Sequence, residues 1–207
     1  MQITAIEPRR KSLSALFLDG EFAMNIDSET LLKSGYKLGG EITDEELYEL
    51  VQTSDNRRAN EKALYLLEHR NHSKKELIDK IRQTVGERAA QAAAEHMQEL
   101  GLINDAVFAK DYAAELLGRK GFSASRARHE LLQKGIDKDL AEEIIGELAP
   151  DPVEKIKEIL GRKYARVLTD EKGRRRAVNA LQRLGYRYED IRRALSDSDI
   201  EENGDEW

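Results

Sequence analysis

The chain contains no cysteine, and aromatic residues are only 6% of its 207 positions. The first absence excludes a disulfide framework, a thiolate nucleophile and the usual structural zinc sites, and it fits a reducing compartment. No stretch approaches the roughly 18 apolar residues that a transmembrane helix needs. The start, Met1-Gln-Ile-Thr-Ala-Ile6, lacks a basic segment followed by an apolar run, so no signal peptide is expected. These features predict a soluble, cytoplasmic protein with no membrane partner.

Catalytic signatures are missing as well. There is no glycine-rich phosphate loop, nucleophile elbow or paired-carboxylate motif. Gly118-Arg-Lys-Gly121 is too short for a phosphate loop and reads as a helix end. Of four histidines, His69 and His72 have a spacing that would put both on one helix face. Ser73, however, reads as the cap of the next helix, which leaves His72 in a turn with no third ligand at metal spacing. A solvated or locally capping pair is the expectation. No catalytic residue, metal or cofactor is predicted.

What the chain has is charge. Charged residues make up 36% and apolar residues 40%, a balance that suits thin helical modules better than one thick globule. Leu, Ala, Glu, Lys and Arg dominate, and all lose little rotamer freedom in a helix. The net charge of −6 is unevenly spread. Residues 1–55 hold 11 acids against 5 bases, residues 155–193 hold 13 bases against 5 acids, and the stretch 197–206 holds six acids and no base. Such asymmetry steers partners more than the sum does.

The first 55 residues read as a small β-hairpin module. Ile3–Ile6, Leu13–Leu18 and Glu21–Ile26 look like short strands, with Asp19-Gly20 as a type I′ turn signal. A short helix is predicted over Ser28–Ser34, ended by Gly35. Thr43-Asp-Glu-Glu46 is a capping box that opens a second helix through Val51. From Arg57 onward the pattern is helical, punctuated by caps at Ser73, Asn104-Asp105 and Asp151-Pro152. Nine helices fall into three groups of three. Leu77, Leu131 and Leu181 lie 54 and 50 residues apart, each with a small residue four positions earlier, and Gly135-Ile136 and Gly185-Tyr186 follow the last two at identical spacing. A period near 50 residues indicates a tandem array; the alternative is chance recurrence among Leu-rich helices. The predicted fold is therefore mainly α, an elongated, curved array of three three-helix repeats (56–103, 104–149 and 150–196) after the hairpin module at 1–55. An acidic, disordered tail is expected at 197–207, with Trp207 as a possible anchor.

Candidate partner-binding residues are cationic. Lys155, Arg162 and Arg166, at i, i+7 and i+11, are expected to form one positive stripe. Arg174, Arg175 and Arg176 fan around the next helix, Arg176 and Arg183 share a face, and Arg187, Arg192 and Arg193 extend the field. The middle repeat offers Arg119, Lys120, Arg126, Arg128, Lys134 and Lys138. For any one of these a solvated face is the plainer reading. For the cluster, a net +8 over 39 residues favours a polyanion or acidic partner. The aromatics do not interleave with these bases in the sequence. Phe108 and Tyr112 read as core, and Tyr164, Tyr186 and Tyr188 as weak candidates for base stacking.

A family resemblance covers nearly the whole chain. Ala63-Leu-Tyr-Leu-Leu67 with Arg70 is followed by Ser73-Lys-Lys-Glu-Leu77, Leu100-Gly-Leu-Ile-Asn-Asp105 and Phe108-Ala109-x-x-Tyr112. Arg119-x-Gly121, Glu130-Leu-Leu-Gln-Lys-Gly-Ile136 and Arg183-Leu-Gly-Tyr186 complete the series. This order is similar to the RecX family of RecA recombinase modulators. Asn104 stands where that family usually has a second Asp beside Asp105, and either residue can cap a helix. A monomer is expected. The resemblance, separately, implies three tandem three-helix repeats and binding to the RecA–single-stranded DNA filament. It also implies suppression of ATP hydrolysis and strand exchange in homologous recombination, and sequence-independent binding of single- and double-stranded DNA. It supplies no catalytic residues. A direct DNA-binding protein of helix-turn-helix type is the alternative, and an enzyme is a third class that the missing motifs argue against.

Overall fold

The computed structural model describes residues 1–168 and 170–202. The chain forms two compact units, Met1–Asn104 and a second beginning at Asp105.

The first unit opens with an antiparallel sheet of three strands, β1 (Ile3–Arg9), β2 (Leu13–Leu18) and β3 (Glu21–Asp27), in the order β1-β2-β3. Asp19 and Gly20 have φ of 51° and 91°, the two positive values that a type I′ turn demands. Leu16, Leu18 and Ile26 share a buried face that packs on Leu31 of α1 (Ser28–Ser34) and Leu50 of α2 (Asp44–His69). Asp27 caps α1 by accepting the Thr30 N–H, and Gly35, at φ 78°, ends it.

The capping box at Thr43 and Glu46 is present with both of its bonds, but the helix it opens does not stop at Val51. Helix α2 runs from Asp44 to His69, 26 residues and about 39 Å at 1.5 Å per residue. It therefore crosses the expected boundary at 55/56. Ser54 and Asp55, which lie between the expected helix end at Val51 and Arg57, are held in the helix by side-chain contacts. Ser54 is buried, and its Oγ accepts the Asp27 N–H at 2.9 Å. Asp55 meets Arg58 at 3.2 Å. Arg57 then binds the sheet–helix junction through Asp27, at 3.1 Å, and through Glu29. Tertiary contacts override weak local propensity here.

The far half of α2 packs with α3 (Lys74–Ile81) and α4 (Glu87–Glu99) around Ala59, Ala63, Ala89, Ala90, Ala93 and Ala94. Small side chains let these helices approach closely. Leu77, Ile81 and Met97 fill what remains.

The second unit holds two further helix triplets. The first comprises α5 (Asp105–Ala114), continued by a π-helical turn at Glu115–Arg119, then α6 (Ala124–Gln133) and α7 (Lys138–Leu148). The second comprises α8 (Pro152–Lys163), a 3₁₀ turn at Ala165–Val167, α9 (Glu171–Arg183) and α10 (Tyr188–Glu202). Each triplet has its own core. Ala127, Leu131 and Ile136 centre one, and Ala177, Leu181 and Tyr186, each 50 residues later, centre the other.

The caps revise the register of the first triplet. Ser73 and Ser123 cap α3 and α6 and lie 50 residues apart. The fully buried Ile81 and Leu131 share that interval, so Ile81 rather than Leu77 is the counterpart of Leu131. The Leu77 alignment is one helical turn out, because α3 presents two buried aliphatic residues one turn apart where α6 presents Ala127 and Leu131. Helix α10 also carries six residues past the expected end of the third repeat at 196. The rest of the acidic tail, including Trp207, lies outside the described residues.

Candidate nucleoprotein interface

Lys155, Arg162 and Arg166 do not form the expected stripe. Lys155 lies on α8 with its side chain only 13% exposed, and it meets Glu158 at 2.6 Å. Arg162 is exposed and 3.8 Å from the same carboxylate. The two flanking cations hold the Glu158 carboxyl below its usual range, the hydrogen bond from Lys155 dominating. Helix α8 ends at Lys163, and Arg166 belongs to the 3₁₀ turn beyond it. Tyr164 and Leu168 pack against the third core, which draws the chain off the α8 axis before Arg166 is reached.

On α9, Arg174 donates from Nε to the Leu168 carbonyl at 3.0 Å, and Arg175 meets Glu171 at 3.1 Å. Arg183 donates to the Asn179 carbonyl at 3.2 Å. Arg166, Arg176, Arg187, Arg192 and Arg193 are exposed and form no ion pair among the described residues. Those five guanidinium groups are uncompensated positive charge on this triplet, and the exposed Lys163 and Lys172 add to it. Lys157, which pattern reading passed over, ties α8 to α10 by bridging Asp197 at 3.1 Å and Glu154 at 3.2 Å. The Asp197 bond, then the Glu154 bond, push its pKa up.

In the middle triplet, cations and aromatic rings do interleave, against the sequence reading. Lys120 lies 5.3 Å from the Tyr112 ring centroid and 6.0 Å from that of Phe122. Lys134 is 5.8 Å from Tyr112, and the Arg126 guanidinium is 4.1 Å from Phe122. Both rings are half-buried, while Phe108, stacked on Tyr112 at 5.6 Å, is buried. Tyr112 and Phe122 are separated by the π turn, and Lys134 arrives from the end of α6. Only the folded chain brings these groups together, so no sequence period marks them. Arg119 is 76% exposed and paired with Glu115, whose carboxyl that bond holds below its usual range.

One member of the cationic set, Arg126, serves the fold instead. Arg126 donates to the Arg183 carbonyl and stacks on Phe122, which turns it into the junction between the two triplets of the second unit. Arg128 is half-buried, and its Nε has no hydrogen-bond partner. Of the three tyrosines considered for stacking, Tyr188 is exposed and Tyr164 half-buried. Tyr186 is buried in the third core, and burial raises its pKa to about 12.

Of the expected solvated or locally capping histidine pair, the exposed His69 fits and the buried His72 does not. His69 Nδ1 lies 2.7 Å from the Tyr65 carbonyl oxygen, whereas His72 is buried with Nδ1 3.0 Å from Glu76 Oε2. Arg70 grips the same carboxylate with both terminal nitrogens, at 2.9 and 3.0 Å.

Comparison with known proteins bears on what this arrangement serves. The chain is 30% identical over 204 residues to the regulatory protein RecX of Caldanaerobacter subterraneus, a match that covers 95% of this chain and 99% of that one. The chain belongs to the RecX family. The family model for the second three-helix domain of RecX matches residues 104–145, which span α5 to α7. RecX of Clostridioides difficile is 26% identical, with 94% of each chain covered, and RecX of Bacillus subtilis is 26% identical over 98% of this chain and 79% of its own. A crystal structure of regulatory protein RecX shares the fold with a TM-score of 0.60 at 17% identity, covering 95% of this chain and 98% of that one. RecX from Lactobacillus salivarius does so with 0.58 at 22% identity, over 72% and 99%. These relatives are regulatory proteins.

Proposed function

We propose that this RecX-family chain is a non-catalytic cytoplasmic regulator that binds the RecA–single-stranded DNA filament and lowers its ATPase and strand-exchange activity. Weak, sequence-independent DNA binding accompanies that role. The observation that carries the reading is the second unit's surface, where Arg166, Arg176, Arg187, Arg192 and Arg193 are exposed without ion pairs among the described residues. Uncompensated guanidinium groups repel one another, and phosphates relieve that repulsion while releasing counterions. Arg119, Lys120 and Lys134 add cations on the middle triplet, beside rings able to support stacking.

The helix-turn-helix alternative needs the N-terminal residues of a recognition helix free to reach base edges. On α6 two such residues, Ser123 and Arg126, are occupied within the chain. This counts against sequence reading by α6. The deciding experiment titrates the purified protein into RecA on single-stranded DNA with ATP, at two salt concentrations, following hydrolysis and filament length. Falling hydrolysis that weakens at high salt is expected; hydrolysis unchanged at saturating protein would refute the proposal.

A further inference from the structure

The first unit's sheet packs only one of its faces on α1 and α2. The cross-strand pairs Arg9–Leu13, Ala15–Asn25 and Phe17–Phe22 share the other. Phe22 is 54% exposed, an unusual state for a phenylalanine, and the Phe17 ring supports it edge-on at 5.7 Å between centroids. Arg9, Arg10, Leu13, Phe22 and Asn25 line a shallow depression of about 670 Å³.

The neighbouring turn brings cations to this depression. Lys11 and Ser12 have φ of 60° and 56°, a backbone state that glycine adopts at far lower cost. Here a lysine occupies it, in a run of three consecutive cations from Arg9 to Lys11. Arg9 is paired with Glu7 at 3.0 Å, while Arg10 and Lys11 are exposed with no ion pair among the described residues. Six of the 11 acids of the first 55 residues lie on α1 and α2, and Glu7, which shares this face opposite Ala15, is the carboxylate that neutralises Arg9.

An exposed ring, two uncompensated cations and a primary amide on one open sheet face form a set suited to one kind of ligand. We propose that this face is a second binding site, for single-stranded nucleic acid. A base stacks on Phe22, Arg10 and Lys11 hold the flanking phosphates, and the Asn25 amide offers a donor and an acceptor to the base edge. A duplex keeps its base faces covered, so the site takes unpaired strands.

The test uses the full chain and a short oligothymidylate bearing one 5-iodouracil, without RecA, so that it stands apart from the proposed regulatory role. Photocrosslinking is expected at Phe22. Phe22→Ala, and the pair Arg10→Glu with Lys11→Glu, should each weaken binding roughly fivefold or more. Phe22→Trp keeps the stacking surface and should bind as well as the parent, while Phe22→Leu, apolar but unable to stack, should behave as the alanine variant does. Crosslinks confined to residues beyond 104, together with unchanged affinity of Phe22→Ala, overturn the proposal. So does a protein-docking outcome, in which these variants lose filament binding and keep full oligothymidylate binding.

Discussion

Ser123 Oγ donates a 2.8 Å hydrogen bond to the carbonyl of Gly185, 62 residues further along the chain. The same hydroxyl accepts the Arg126 N–H to cap α6, and the Ser123 N–H donates to the Leu184 carbonyl at 2.9 Å. The start of one middle helix is thereby joined to the end of the next. The helix end supplies carbonyls that have no partner within their own helix, and the helix start supplies donors. Arg126 adds a third bond, to the Arg183 carbonyl.

Gly185 has no room for a side chain. Its φ is 93°, and a Cβ there would lie 2.6 Å from Ser123 Oγ and 2.8 Å from Arg126 Cβ. Left-handed strain adds to overpacking, so Gly185→Ala should destabilise by roughly 2–4 kcal/mol in urea unfolding. Gly146, inside α7, meets nothing within 4 Å, and Gly146→Ala should stabilise by about 0.5–1 kcal/mol. Equal effects at the two sites would mean that the junction carries no load.

Ser123→Ala removes a cap and a cross-link at one stroke. A loss of roughly 1–2 kcal/mol is expected, whereas Ser73→Ala tests the corresponding cap in the first unit. A cost below about 0.5 kcal/mol at Ser123 would contradict the bonding described.

Much of this architecture is legible in the sequence because it is written in local signals. Asp19-Gly20, the capping box at Thr43, the caps at Ser73 and Asp151, and the glycines at 135 and 185 all act within a few residues. What is not legible depends on distant partners. Ser54 stays helical because Asp27 needs its hydroxyl. Arg126 leaves the cationic surface because α9 presents carbonyls to it. The rings of Tyr112 and Phe122 meet their cations across a π turn that no spacing rule marks. Charge runs reveal how much positive charge a segment holds, but not which side chains are already spent.

Tyr186 illustrates a cost inside the third core. Its hydroxyl is buried with no hydrogen-bond partner, and an unsatisfied buried hydroxyl costs about 1–3 kcal/mol. Tyr186→Phe removes the polar atom and keeps the ring. The variant should match or exceed the parent in stability, by up to about 1 kcal/mol; a clear loss in thermal unfolding would mean that the hydroxyl is satisfied in solution.

The division between spent and uncompensated cations predicts two classes of variant. Replacing Arg176, Arg187, Arg192 and Arg193 together by Glu should leave helicity intact, abolish inhibition of RecA hydrolysis and flatten the salt dependence of single-strand binding. Each lost phosphate contact lowers the slope of log K against log salt by about 0.7–1. Arg126→Ala should instead lower stability by roughly 1–3 kcal/mol, with affinity changed little once the protein is folded. Inhibition that survives the quadruple variant would remove the second unit's cationic surface from the mechanism.

His72 makes the first unit sensitive to mild acid. Burial and then the nearby Arg70 cation lower its pKa below the ordinary imidazole value, while the Glu76 carboxylate opposes them and does not win. The folded protein therefore holds His72 neutral, with Nδ1–H directed at Glu76. A group whose folded pKa is depressed contributes stability above its unfolded value, near pH 6.5, and loses it as pH falls through the folded value. Stability should hold level above about pH 7 and decline below about pH 6.5, before carboxylates begin to titrate. His72→Gln keeps a donor within reach of Glu76 and removes the titration, so its stability should vary less over that window. A parent and variant with parallel pH profiles between 7 and 5 would show that the imidazole titrates alike in the folded and unfolded chains, with Glu76 offsetting both burial and Arg70.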